Sequence, residues 1–127
     1  MFKVNNDLSI YVTRGDMAAI RVSAEDNMGS DYTFKYGDMV RFKVFEKKGC
    51  DCVMLQKDFM VEAESKTVDI LLTGSDTKIG DVIHKPKDYW YEVELNPLTN
   101  PQTIIGYDED GAKVFRLFPE GADMQGG

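Results

Sequence analysis

The stretch from Asp88 to Leu95 admits few conformations. Tyr89, Tyr91, Val93 and Leu95 take alternate positions, with Glu92 and Glu94 between the last three. A period of two is what a half-buried strand requires, because successive side chains point to opposite faces. Trp90 breaks the pattern as an aromatic residue on the charged face. Two further runs of the same kind follow, Gln102 to Tyr107 and Ala112 to Phe118, separated by Asp108-Glu109-Asp110-Gly111. The spacing predicts three successive strands, the last two joined by a hairpin tip in which Gly111 supplies the positive φ.

The same logic extends upstream. Leu8, Ile10 and Val12 share one face of a first strand, and Ala18, Ile20 and Val22 share one face of a second, within Met17 to Ala24. Thr13-Arg14-Gly15-Asp16 turns the chain between them, and Glu25 to Asp31 is a loop of turn-forming residues. Gly37-Asp38-Met39 then repeats Gly15-Asp16-Met17, and each copy precedes a strand in which an apolar pair brackets a cation: Ile20 and Val22 around Arg21, Phe42 and Val44 around Lys43. Two copies are too few for a solenoid, so the echo predicts a shared turn geometry. Cys52 to Val61 and Lys66 to Leu72 complete the set of strands. Thr77-Lys78-Ile79 predicts at most one short helical turn, capped by Ser75 or Asp76 and stopped by Gly80.

Strands separated by short turns without intervening helices predict an all-β fold, an antiparallel two-sheet sandwich of about nine strands, of which the Ig-like arrangement is one version. At 127 residues the chain has the length of a single domain. Residues 1–127 are expected to form one unit, with loose ends at about 1–6 and 120–127. Hydrophobic residues at 43% and charged residues at 29% suit a folded chain and oppose disorder. The net charge of -7 opposes nucleic-acid binding by phosphate neutralisation. Without a basic-apolar leader or a bilayer-length apolar run, the chain is expected to be made in the bacterial cytoplasm, without membrane association.

No catalytic, cofactor or metal set emerges. Cys50 and Cys52 are one residue apart, too close for an unstrained disulfide and, with His84 as the sole histidine, too few for zinc. Asp108 to Gly111 lacks the further spaced ligands of a calcium loop. Glu92 and Glu94 share a strand face like a glycosidase pair, but a solvated outer face explains them better, because alternating glutamates on the wet side keep a strand soluble and discourage edge pairing. Arg14-Gly15-Asp16 matches an integrin-binding tripeptide, yet Gly37-Asp38 recurs without the arginine, so the turn explains it. The candidate interaction surface is Trp90 with Tyr89 and Tyr91, since Trp and Tyr are enriched at interfaces.

The order of these signals resembles a known family. Thr13-Arg14-Gly15-Asp16 comes first, then Gly37 through Val44 (Gly-Asp-Met-Val-Arg-Phe-Lys-Val). Thr73 through Ile79 (Thr-Gly-Ser-Asp-Thr-Lys-Ile) precedes Tyr89-Trp90-Tyr91-Glu92-Val93-Glu94-Leu95, and Gln102-Thr103-Ile104-Ile105 leads to a terminal strand. Together, from about Leu8 to Phe118, they resemble the small β-sandwich modules of tailed-phage and prophage virion proteins, in particular the N-terminal domain of the baseplate upper protein family. The resemblance implies a non-enzymatic tail or baseplate component that oligomerises or docks on other virion proteins, without cofactors. It also implies a following host-recognition region, outside the single unit expected for residues 1–127. The alternative reading is a carbohydrate-binding or adhesive β-sandwich module in which Trp90 stacks on a glycan.

Overall fold

The computed structural model describes residues 2–5, 7–25, 28–47, 52–106 and 111–120. Among them are nine strands and no helix: β1 (Phe2–Val4), β2 (Ile10–Thr13), β3 (Ala18–Val22), β4 (Met39–Phe45), β5 (Val53–Met60), β6 (Val68–Leu72), β7 (Lys87–Leu95), β8 (Gln102–Ile105) and β9 (Lys113–Phe118). Eight coincide with the runs read from alternation. The ninth is β1, in the segment expected as a loose end, where Phe2–Val4 pairs antiparallel with Val12–Ile10.

Seven strands form one sheet in the order β1-β2-β9-β7-β4-β5, with β8 also against β7. The centre is β7, whose alternate residues Tyr89, Tyr91, Val93 and Leu95 are all buried, as its sequence pattern requires. One edge of β7 is taken by β4. The other is shared: β9 pairs with Lys87 to Tyr91, and β8 pairs with Val93 to Leu95. Both run antiparallel to β7, and therefore in the same direction as each other. They are successive pieces along one edge, so they do not form the expected hairpin. Residues 107–110, read as its tip, lie outside the described residues.

The purely antiparallel expectation also requires correction, because β2 and β9 pair in parallel, Ile10 opposite Phe115 through Thr13 opposite Phe118. Short turns report only how consecutive strands are joined, and a pairing of the second strand with the last leaves no such mark. The remaining strands, β3 and β6, form a separate antiparallel ribbon with Ala18 opposite Leu72 and Val22 opposite Val68. β3 follows β2 and β6 follows β5, so the ribbon is fed from opposite sides of the large sheet. Its inward residues Ala18, Ile20, Val22, Ile70 and Leu72 join Ile10, Val40, Phe42, Tyr89 and Phe115 in one hydrophobic core. Arg21 and Asp69 face each other on its wet side, their two hydrogen bonds 2.9 and 3.4 Å long.

The echoed Gly-Asp turns have the same geometry. Asp16 N donates to Thr13 O at 3.0 Å with Gly15 at φ +90°, and Asp38 N donates to Lys35 O at 3.0 Å with Gly37 at φ +93°. A four-residue turn with a left-handed third residue is the type II pattern, which selects glycine. The region after β6 makes a single turn without helix. Thr73 N donates to Asp76 Oδ2 at 2.8 Å and Asp76 N to Thr73 Oγ1 at 3.2 Å, so of the two expected caps Asp76 is used, in a reciprocal pair with Thr73.

Candidate interaction surfaces

The outer face of the large sheet carries Trp90. Its neighbours in register are Phe45 on β4 and Val114 on β9, and all three are half-buried. They form an apolar row across three strands, as directly opposed side chains on a sheet do. Charged rows flank it. On one side, Lys43 Nζ lies 3.4 Å from Glu92 and 2.7 Å from Glu94, and Arg41 makes two bonds of 2.8 and 3.1 Å to Asp58. On the other, Arg116 makes two bonds of 2.6 and 3.2 Å to Asp88 and lies over the Tyr11 ring, 5.2 Å from its centroid.

These pairs explain the local charge states. Burial depresses the Lys43 ammonium, but the hydrogen bond and charge of Glu94, together with Glu92, outweigh it and leave its pKa raised. The hydrogen bond from Arg41 is the main cause holding the Asp58 carboxyl below its ordinary value. Glu92 and Glu94 thus share one lysine.

Tyr89 and Tyr91 do not share this surface. They are 0% and 3% exposed and point inward, so the three-aromatic surface expected from sequence adjacency reduces to Trp90. Adjacent strand residues cannot face the same way. The Tyr91 hydroxyl donates to Leu8 O, and burial is the first cause pushing its pKa upward.

Arg14-Gly15-Asp16 is held against its own chain. Arg14 N donates to Phe118 O at 2.9 Å, and the Arg14 guanidinium reaches Gly80 O at 3.4 Å. Gly15 N donates to Thr77 Oγ1 at 2.9 Å, and that hydroxyl donates in turn to Asp16 O at 2.8 Å. Thr77 is fully buried, and a Cβ on Gly74 would come within 2.6 Å of Gly15 O, so the two loops meet backbone to backbone. Thr77→Val keeps the volume but leaves Gly15 N–H and Asp16 C=O without that hydroxyl. It is expected to cost about 2 kcal/mol in urea unfolding, against well under about 1 kcal/mol for Thr77→Ser. Equal stability of Thr77→Val and the unaltered protein would refute this role.

A part-buried polar cluster centres on Asp38. Asp38 Oδ2 accepts from the Tyr32 hydroxyl at 2.7 Å and Lys35 N at 3.1 Å, while Oδ1 accepts from Asn96 Nδ2 at 3.1 Å. Asn96, at φ +48°, accepts from Met39 N through Oδ1 at 2.9 Å and donates its own N–H to Met39 O at 2.7 Å. The Gly-Asp echo marks the turn that carries Asp38, but no local signal pairs it with a residue 58 positions away.

A cleft of about 480 Å³ opens between the end of β3 and β8, with Leu8 and Leu95 also lining it. No sequence feature indicated it, since its walls come from elements remote in the chain. His84 is exposed in the connector before β7, and Cys52 is exposed just before β5; Cys50 lies outside the described residues. Among the described residues no group of three or more His, Cys, Asp or Glu side chains is placed to hold a metal ion, and no helix is long and apolar enough to cross a membrane.

Comparison with known proteins finds no matching family model, no matching curated protein and no matching solved structure.

Proposed function

We propose that the chain is a non-enzymatic assembly protein of a phage or prophage virion, a tail or baseplate component that works through protein–protein contacts. The observation that carries the interaction part of this reading is the Phe45-Trp90-Val114 row bordered by the ion pairs of Lys43 and Arg116. An apolar centre with a tryptophan inside a polar rim has the anatomy of an interface hot spot. The virion part rests on the resemblance of the turn and strand order. In the same reading the β3–β6 ribbon is the reduced second layer of a sandwich over the large sheet.

Size-exclusion chromatography with light scattering tests the proposal. The expected result is an oligomer, or a complex with the tail proteins encoded beside this chain, weakened by roughly 30-fold or more in Trp90→Ala, as truncation of a hot-spot residue does. A strict monomer that fails to co-purify with those tail proteins would overturn it, and housekeeping neighbours in the genome would remove the virion part. The carbohydrate-binding alternative predicts Trp90-dependent signal on a glycan array. A blank array retires it.

A further inference from the structure

We propose that the cleft between β3 and β8 is a second docking site, taking an extended, basic-flanked segment of a partner protein as an added strand on β8. This site lies on a different part of the molecule from the Trp90 row and goes beyond that reading.

The first argument is the state of the strand edges. β8 pairs with β7 by one edge, and among the described residues no strand takes the other. An open edge is a template for another chain, and proteins usually blunt it with charge, inward lysines or short length. The other edges of this sheet are blunted in that way. On β5, Lys57 is bonded to Asp76 across 3.0 Å and Asp58 is held by Arg41. The three-residue β1 carries Lys3. β8, Gln102-Thr103-Ile104-Ile105, has no charge and three β-branched residues, and its side chains line the cleft.

The second argument is the lining. Val22 and Leu95, both buried, give the cleft apolar walls, and Ile104 and Ile105 remain half-buried beside them. Leu8 adds its side chain from a left-handed backbone, φ +69°, held by the Tyr91 hydroxyl on its carbonyl and by Leu8 N donating to Asn5 O at 2.9 Å. A non-glycine residue in that region is strained and persists where the surroundings over-determine it, commonly at binding sites.

Charge selects the occupant. Glu25 and Asp31 stand opposite each other at the rim, while the Arg21 guanidinium, also at the cleft, is committed to Asp69. The rim is therefore acidic on a chain of net charge -7, which favours lysine or arginine beside the added strand. A second copy of β8 brings no basic residue, so a partner of different sequence fits better. Four residues of edge at about 3.4 Å each accommodate a short segment, with main-chain hydrogen bonds supplying affinity and alternate side chains supplying specificity.

The test titrates the full chain with the end-blocked peptide Lys-Val-Thr-Val-Thr-Val-Lys, reading affinity by calorimetry and site by amide hydrogen exchange. The expected result is saturable binding that slows exchange at residues 102–105. Ile104→Lys, or Thr103→Lys should the first variant lose its near-UV dichroism, weakens binding about tenfold or more, and so does replacing both peptide lysines by glutamate. Met60→Lys on the β5 edge and Trp90→Ala leave it unchanged, which separates failure here from failure of the Trp90 surface. Absence of binding, protection on β5 in place of β8, equal binding of the acidic peptide, or self-association abolished by Ile104→Lys would each overturn the proposal.

Discussion

Phe42→Ala is expected to lower the unfolding free energy by about 4 kcal/mol, the largest single-residue effect anticipated for this chain. Phe42 is fully buried on β4, with the Tyr91 and Phe115 rings at centroid distances of 5.6 and 6.2 Å. Its removal leaves a cavity between β4, β7 and β9, because close-packed neighbours relax only in part. For a domain of this size the loss corresponds to a fall in Tm of roughly 15 °C, within a total stability of about 5–15 kcal/mol. Phe45 lies on the outer face of the same strand and is half-buried, so Phe45→Ala should cost several times less. Comparable urea midpoints for the two variants would contradict the inward assignment of Phe42.

Asp38→Asn should cost about 2–3 kcal/mol near neutral pH, a large effect for a change of one atom. The carboxylate is 6% exposed and accepts from three donors. An amide in its place turns an NH2 toward groups that already donate. The pH dependence follows from the same contacts. Burial raises the Asp38 pKa, but the bonds from Tyr32, Asn96 and Lys35 N outweigh it, so the folded value lies below the ordinary carboxylate value. A depressed folded pKa contributes stability that is present above the unfolded pKa, about 4, and is lost as pH falls through the folded value. Unfolding measured from pH 5 downward should show a shallower acid slope in Asp38→Asn than in the unaltered protein. The rest of the slope persists through Asp58 and Asp76, whose carboxyls are also held low.

At the alkaline end the sign reverses. Burial, then the bond to Asp38, pushes the Tyr32 hydroxyl up to about 12. Its contribution is therefore complete below an ordinary tyrosine pKa of about 10 and disappears as pH rises toward 12. Combining Tyr32→Phe with Asp38→Asn should give less than the sum of the two separate losses, since the two residues share one hydrogen bond. Strict additivity would show that the cluster does not act as a unit.

The candidate surfaces were legible to different degrees. Trp90 stood out because an aromatic residue interrupted a charged strand face, and the register then supplied its partners Phe45 and Val114. Tyr89 and Tyr91, grouped with it by adjacency, belong to the core by the same alternation that marked the strand. The β3–β8 cleft and the Asp38–Asn96 pair left no local trace, since each joins residues tens of positions apart.

The sequence by itself determined the all-β class, eight of the strands, the inward face of β7 and the shared turn at Gly15 and Gly37. These depend on side-chain alternation and on the backbone freedom of glycine, which act within a few residues. Only the tertiary structure decided that β2 runs parallel to β9, that β8 and β9 follow one another along β7, and that β3 and β6 leave the large sheet to pair with each other. Strand pairing is a choice among distant partners, made by which faces can share one core and which edges remain to be filled. A period of two says which side of a strand is dry; it does not say beside which strand it lies.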